Sequence, residues 1–170
     1  MHADFSGVSS RERAIEFGTK IHAWMERLAW LEDEEPSLPA DDPELAKHVR
    51  ACLENPSFRR LFRRPDRACG LLRETPFGVP AENGNWISGR FDRVHLFRSP
   101  DGTIERAEIL DYKSDRFDAE NPDARRLLAE RHRPQMLLYR KAAASLFRIP
   151  EDRVSVLLIL TRTGDVLKVL

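Results

Sequence analysis

The fold is decided by residues 85–113, which read NWISGRFDRVHLFR, SPDG and TIERAEILDYK in turn. The first and last of these pieces are extended runs. The Pro-Asp-Gly order between them favours a turn, because proline fixes φ and glycine readily adopts a positive φ. We therefore predict an antiparallel hairpin that turns at Pro100, Asp101 and Gly102.

Helical patterns precede this hairpin. Residues 9–35 show the spacing of one long amphipathic helix, for which Ser9 or Ser10 is a suitable N-cap. Two shorter helical segments follow, so we expect an N-terminal helical part over about 9–64. Alternation with a period of two residues first appears at 70–80, where we expect a strand.

A helix and two strands are predicted after the hairpin. Residues 121–147 return to helical spacing, and Pro134 favours the start of a fresh helix, where its missing N–H costs nothing. Residues 154–160 indicate a buried strand and 166–170 an edge strand. The order predicts an α/β fold with a mixed central sheet flanked by helices, whose core spans about 71–170.

Length and composition narrow the class of protein. The 170 residues suffice for a single domain over 1–170. Lys and Arg number 28, as do Asp and Glu, which argues against nucleic-acid binding by bulk charge but leaves room for a local basic rim. No apolar run approaches the roughly 20 residues of a membrane span, and no signal peptide is apparent. With only two cysteines, we expect a cytoplasmic protein.

The second run of the hairpin ends on a pair of charged residues, Asp111 and Lys113. Two residues apart in a strand, they lie on one face. The pair alone can be a salt bridge at a strand end, or a metal ligand beside a group that handles a proton. Asp92, in GRFDRV on the adjacent strand, lies equally far back from the turn and could be a neighbour of Asp111.

Two converging carboxylates repel each other unless a cation lies between them or one is protonated. Carboxylates completed by water are the ligands that Mg²⁺ or Mn²⁺ prefers. Lys113, on the same face, could then help to deprotonate a water or stabilise charge that develops on a phosphate. Asp92, Asp111 and Lys113 are therefore candidates for a metal-dependent site.

Two pairs of helical residues allow structural and functional readings. Gly18 and His22 lie four apart on one helix face; the histidine could be a satisfied core residue or a ligand. The glycine weakens a helix by about 1 kcal/mol relative to alanine, which suggests that another backbone or a ligand comes close. Gln135 and Tyr139 are also four apart, either as an amphipathic boundary or as a donor–acceptor pair that reaches into a cleft.

Five motifs occur in an order that resembles the RecB-type nucleases of the PD-(D/E)xK superfamily. The resemblance is greatest to the C-terminal nuclease domain of AddA-type helicase–nuclease subunits, and it covers about 18–139. Any one motif is weak, but five in order are a strong signal. They are GTKIH, RETPF, GRFDRV, ILDYKSD and RPQMLLYR.

The resemblance implies a restriction-endonuclease-like core with an extra N-terminal helical segment, and it implies roles for individual residues. Phe91 precedes Asp92 where the superfamily name has proline, which matches the RecB branch. No iron–sulfur cluster is expected, because related clusters use four cysteines. The implied metal ligands are His22, Asp92, Asp111 and the backbone carbonyl of Tyr112; Lys113 is the catalytic lysine, Gln135 and Tyr139 position DNA or the lysine, and Glu74 is an accessory acid.

The expected activity is hydrolysis of DNA phosphodiester bonds that depends on Mg²⁺ or Mn²⁺ and is independent of sequence. An exonuclease is expected, acting on single strands or ends that a helicase portion or partner supplies during end processing and recombinational repair. A catalytically silent DNA-binding or assembly module with the same fold is the alternative, and a structural domain with ordinary ion pairs is a third. Candidate phosphate contacts are Arg90, Arg116, Arg131, Arg133 and Arg140.

Overall fold

The computed structural model describes residues 9–81 and 83–170. Within those residues, no helix is both long and apolar enough to cross a membrane. A short 3₁₀ turn, Glu151–Arg153, precedes the fourth strand. The helices and strands are α1 (Ser10–Arg27), α2 (Pro43–Glu54), α3 (Pro56–Leu61), β1 (Cys69–Pro80), β2 (Trp86–Arg98), β3 (Ile104–Lys113), α4 (Ala124–Phe147), β4 (Val154–Leu160) and β5 (Asp165–Lys168).

The strands form one five-stranded sheet in the order β1-β2-β3-β4-β5. Strands β2 and β3 are antiparallel, as predicted for the hairpin, and Gly102 in their turn has a φ of 88°. Strands β3 and β4 are parallel, and α4 provides the crossover that a parallel pair requires. The other pairs are antiparallel. The sheet is therefore mixed and flanked by helices, which confirms the predicted fold class.

Apolar residues cover both faces of the sheet. One buried cluster joins the sheet to α4 and includes Ile109 and Met136. The other joins the opposite face to α1, α2 and α3 and includes Leu110 and Phe58. Because successive residues of β3 serve opposite clusters, Asp111 follows Ile109 on the α4 face.

Helix α1 is shorter than the pattern predicted, because it ends at Arg27 instead of continuing to residue 35. Ser9 caps its start, accepting a hydrogen bond from the N–H of Glu12, as expected of a capping residue. After the helix, the carbonyl of Leu28 accepts a 2.8 Å hydrogen bond from the buried Arg93 guanidinium. A tertiary contact thus competes with continuation of the helix, and local spacing does not contain it.

The prediction of a fresh helix at Pro134 is wrong, because α4 runs unbroken through that residue. A proline inside a helix removes one backbone hydrogen bond, here to the carbonyl of Glu130. Both residues are exposed, so water can reach the carbonyl that loses its partner. The apolar contacts of α4 with the sheet continue on both sides of the proline and hold the helix together.

Candidate metal and catalytic site

Strand β1 is irregular at Glu74, which has a φ of 43° although the pairing with β2 keeps one register. Few residues other than glycine adopt that conformation. Before Glu74 an even-numbered residue, Leu72, packs toward α4, whereas after it the odd-numbered residues Phe77 and Val79 do. The same inversion occurs on β2 around Asp92, from Val94 and Leu96 on one side to Phe91 and Ile87 on the other.

Helix α1 brings His22 to this irregular point. Its Nδ1 lies 3.4 Å from Oδ1 of Asp92 and 3.6 Å from Oε1 of Glu74. Its Nε2 lies 3.1 Å from the carbonyl oxygen of Tyr112. Burial alone would lower the pKa of His22, but the carboxylates of Asp92 and Glu74 outweigh it and raise the pKa to about 9. The imidazole is therefore surrounded by oxygen atoms that favour a cation.

Asp92 also connects β2 to β3 beyond the last paired residues, Arg93 and Leu110. Its Oδ2 accepts a 2.7 Å hydrogen bond from the backbone N–H of Tyr112. The carboxylate thus takes the place that a strand carbonyl would occupy in a continuing ladder. This contact fixes the carbonyl of Tyr112 next to His22.

Asp111 is a buried acid without a hydrogen bond at one of its oxygens. Its Oδ2 lies 2.6 Å from Nζ of Lys113, a charge contact that lacks hydrogen-bond geometry. Burial and the charge of Asp92, opposed by that of Lys113, raise the pKa of Asp111 to about 6. Oε1 of Glu74 is buried and unpartnered as well. Buried oxygens without partners are rare in folded proteins, and an absent ion is one explanation for them.

A chain of hydrogen bonds links Lys113 to α4. Its Nζ donates to Oε1 of Gln135 at 3.1 Å, and Nε2 of Gln135 donates to the Tyr139 hydroxyl at 2.9 Å. Burial and the nearby acids raise the pKa of Tyr139 to about 12, so the phenol stays neutral. The predicted pair on α4 thus reaches the lysine directly and restrains its ammonium group.

Gly89, the first residue of the GRFDRV motif, makes room for this arrangement. A Cβ at Gly89 would lie 2.8 Å from a ring carbon of Phe77 and 3.5 Å from one of Tyr139. The two rings meet edge to face with their centroids 5.6 Å apart. A side chain at this position would therefore displace the aromatic residues that hold Tyr139.

We expected another backbone or a ligand to come close to Gly18, and the structure shows no close contact with another backbone. A Cβ there would meet only Oγ of Ser114, at 3.8 Å, so alanine fits. Gly18 instead lines a cleft of about 450 Å³ between α1 and Glu74, which opens directly onto His22. The ligand alternative therefore fits this position better than the backbone alternative.

The donor set fits a divalent cation. One ligand atom from each of His22, Glu74 and Asp92 can be chosen so that all lie within 4.8 Å of one another. Nδ1 of His22 lies 3.4 Å from Asp92 and 3.6 Å from Glu74, somewhat more than the roughly 3 Å between adjacent ligands of an octahedral Mg²⁺ at about 2.1 Å. Glu74, expected only as an accessory acid, thus lies within the group of possible ligands. The ligand roles of His22, Asp92, Asp111 and the Tyr112 carbonyl stay predictions.

Sequence reasoning missed a second pair beside the lysine. Nε2 of His132 lies 3.3 Å from Oδ2 of Asp115 and makes no hydrogen bond of normal geometry. Burial, together with the charge of Lys113, lowers the pKa of His132. A signal was present, because Asp115 ends ILDYKSD and His132 precedes Gln135 by one helical turn.

The five arginines proposed as phosphate contacts differ in how free they are. The guanidinium of Arg133 donates to the carbonyl of Val169, and that of Arg140 donates to the carbonyl of Glu151. Both are therefore engaged by the protein itself. Of the other three, Arg90 donates to the carbonyl of Glu74 and Arg131 pairs with Asp115, while Arg116 is exposed. Because Arg90 and Arg131 are exposed as well, all three remain candidates.

Comparison with known proteins agrees with this geometry. The family model of the PD-(D/E)XK nuclease superfamily matches residues 5–166, which include every candidate ligand and the lysine. A search of curated proteins gave no significant match.

Proposed function

The chain belongs to the PD-(D/E)XK nuclease superfamily, and from this premise we propose that it is a Mg²⁺- or Mn²⁺-dependent deoxyribonuclease. The observation that carries the proposal is the convergence of three acids, two of which keep a buried oxygen without a hydrogen bond, with a histidine and a lysine at one point of the sheet. The carboxyl groups of Glu74 and Asp111 each keep a buried oxygen without a hydrogen bond. Such a group is costly in an empty protein and useful in a metal centre.

The residues proposed to hold the ion are His22, Asp92, Asp111 and the Tyr112 carbonyl, with Glu74 as a further ligand. A bound divalent cation supplies Lewis-acid polarisation of the phosphate and a nucleophilic water at neutral pH. The protein contributes the rigid placement of these groups. The hydrogen bond from the Tyr112 N–H to Asp92 fixes two of them relative to each other.

Lys113 is the residue proposed to assist the attacking water or to neutralise charge on the phosphate. Gln135 accepts from its ammonium group and is itself held by Tyr139, so the lysine cannot turn freely away from Asp111. A donor that is already oriented needs no reorganisation when charge develops, which is the main source of electrostatic catalysis.

We propose that cleavage is independent of DNA sequence. The exposed arginines near the site would contact phosphates, and phosphate contacts carry no base information. With 28 basic and 28 acidic residues, bulk attraction to DNA is weak. We therefore propose that the chain acts as an exonuclease on single strands or ends supplied by a helicase.

The RecB-type branch, and within it the AddA-type helicase–nucleases, is the proposed affiliation. Two features support it: the histidine of the GTKIH motif contacts Asp92, and the glutamine of the RPQMLLYR motif contacts Lys113. A cytoplasmic role in DNA end processing and recombinational repair follows from that affiliation and belongs to the same proposal.

The test is cleavage of a fluorescent single-stranded DNA in Mn²⁺, in Mg²⁺ and in EDTA, with Asp111→Ala beside the wild type. Cutting that requires metal and is lost in the variant supports the nuclease. A linear and a circular substrate of equal length separate exonuclease from endonuclease action, because only the linear one has ends. DNA binding without cutting in either metal would instead support the silent module.

A further inference from the structure

The hairpin of β1 and β2 continues past the candidate site and leaves one face open. On β2, Ile87 packs toward α4. The residues that alternate with it along the strand therefore project from the opposite face. On β1, Phe77 and Val79 likewise pack toward α4. The residues of the open face are all exposed: Pro76, Gly78 and Pro80 on β1, and Trp86, Ser88 and Arg90 on β2.

Trp86 is the most exposed of the three tryptophans. It is 72% exposed, whereas Trp24 is 9% and Trp30 is 3% exposed. Its ring lies diagonally across the hairpin, 3.7 Å from the place of a Cβ on Gly78. An aromatic ring that rests on a glycine and is otherwise uncovered offers a flat surface to a ligand.

Charge on this face favours an anion. Arg90, two residues from Asp92, donates to the carbonyl of Glu74 and lies 3.9 Å from the Glu74 carboxylate, yet its side chain is 58% exposed. Among the described residues between Thr75 and Arg90, no side chain is acidic. The face therefore presents a cation next to the candidate metal ligands and an aromatic ring further out.

The face is poorly suited to a protein partner. A stable protein interface needs a contiguous apolar centre surrounded by a polar rim. Here one large aromatic side chain stands among glycine, proline, serine and arginine, and the rest of the face offers little apolar area. An exposed aromatic ring with an arginine on the same face is instead a combination that proteins use to bind single-stranded nucleic acid.

We propose that the open face binds single-stranded DNA on its way to the metal site, with a base stacked on Trp86 and a phosphate near Arg90. The six residues from Asp92 to Trp86 span roughly 20 Å of strand, enough for several nucleotides. The bases must be unpaired, because those of a duplex already stack on one another. The inference rests on the proposed function and names the form of its substrate.

The experiment uses the emission of Trp86 itself. A 20-nucleotide thymidine oligomer is added in EDTA, where a metal-dependent enzyme leaves it intact, and tryptophan fluorescence and anisotropy of a label on the DNA are recorded together. Stacking should quench the exposed tryptophan, and the quenching should be lost in Trp86→Phe. Trp86→Ala should weaken binding by about 5- to 150-fold, while Trp86→Phe, which still stacks, should bind nearly as the wild type does.

Leu127→Ala is the matched control, since it removes another exposed apolar side chain, 50% exposed, from α4. It should bind like the wild type. Affinity unchanged in Trp86→Ala, with no quenching in the wild type, would overturn the proposal. Cleavage assays separate failure of this inference from failure of the proposed nuclease function. Normal cutting by a Trp86→Ala protein with unaltered affinity refutes only the stacking. Quenching without cutting in any metal refutes the nuclease and retains the single-strand site.

Discussion

Two buried polar groups share strands β2 and β3, and they differ in whether their charges find partners inside the protein. One is the acidic site, formed by Glu74, Asp92 and Asp111. The other, the Arg93 network, consists of Arg93, His95 and Glu108.

Hydrogen bonds within the protein satisfy the Arg93 network. Arg93 is fully buried, and its guanidinium donates to the carbonyls of Leu28 and Ala29 and to Nε2 of His95. Nδ1 of His95 lies 3.2 Å from the carboxylate of Glu108. Each nitrogen of the guanidinium thus donates a hydrogen bond, and the group lies between aromatic rings as well. Such a network holds the segment after α1 on the sheet.

The acidic site is satisfied less completely, although Lys113 contacts Asp111 and His22 contacts Asp92 and Glu74. Two of its carboxyl groups keep unpartnered buried oxygens, one residue has a strained φ, and the pKa of Asp111 is raised to about 6 by burial and by the charge of Asp92. The same sheet therefore contains a polar group built for stability and one that is left incomplete. The difference indicates that the incomplete one is completed by a ligand.

The largest effect should come from Lys113→Ala, which removes the cation that contacts Asp111. We expect cleavage to fall by about 10²- to 10³-fold, because an oriented donor near the phosphate is lost. Metal and DNA binding should largely survive. Single-turnover cleavage and anisotropy on the same preparation check both parts, and wild-type cleavage in the variant would refute the role of the lysine.

Arg93→Met tests whether the Arg93 network stabilises the fold. The buried carbonyls of Leu28 and Ala29 and the His95–Glu108 pair would lose their cation, at a cost of about 3–5 kcal/mol in the free energy of unfolding. Arg73→Met is the matched control: Arg73 also donates to carbonyls at the end of α1 but is exposed, so it should cost less than about 1 kcal/mol. Urea unfolding of both variants measures the difference, and equal losses would contradict it.

His48 is another buried polar residue, and it should make the free energy of unfolding depend on pH. It is buried against Oγ1 of Thr161 at 3.0 Å, and burial together with the charge of Arg162 lowers its pKa to about 4. The unfolded chain, with a histidine pKa near 6.5, then binds more protons than the folded one between these two values. Stability from this group is complete above pH 6.5 and is lost as the pH falls toward 4.

By pH 5 the loss attributable to His48 should be about 2 kcal/mol. The measurement is urea unfolding at pH 7 and pH 5 for the wild type and for His48→Gln, because the difference between them removes the contribution of other groups. The variant should show a smaller loss than the wild type. An identical pH dependence in both would refute the buried neutral state of His48.

Asp111→Asn should give the smallest effect on stability, with the opposite sign to Arg93→Met. Folding raises the pKa of Asp111 from 3.8 to about 6, so its ionised form destabilises the metal-free protein above that pH. Removing the charge should increase the free energy of unfolding in EDTA by about 1–2 kcal/mol at pH 7. A loss of stability in this variant would show that the acid is a structural partner of Lys113.

The hairpin could be predicted from sequence because its signals are local. Pro-Asp-Gly specifies its own turn, and Gly102 adopts the positive φ that glycine allows. The end of α1 and the unbroken helix at Pro134 could not be predicted, because each depends on tertiary contacts. Arg93 captures the carbonyl of Leu28 from 65 residues away in the chain.

The sequence indicated which residues form the candidate site better than it indicated how they are arranged. The motif order pointed to His22, Asp92 and Lys113, and the structure brings side chains from all five motifs together. The position of Glu74 among the possible ligands was not predicted, because its φ of 43° arises from the pairing of β1 with β2. Nor was the pair of Asp115 and His132, which only the packing of α4 brings together.

Calorimetric titration of Mn²⁺ into the metal-free protein tests most directly whether the acidic site is completed by a cation. Asp92→Asn keeps an oxygen for the Tyr112 N–H but lowers the charge of the ligand set, whereas Asp152→Asn removes an exposed acid of the 3₁₀ turn. We predict saturable Mn²⁺ binding by the wild type and by Asp152→Asn, and its loss in Asp92→Asn. Equal binding by all three proteins, or no binding by the wild type, would contradict the account.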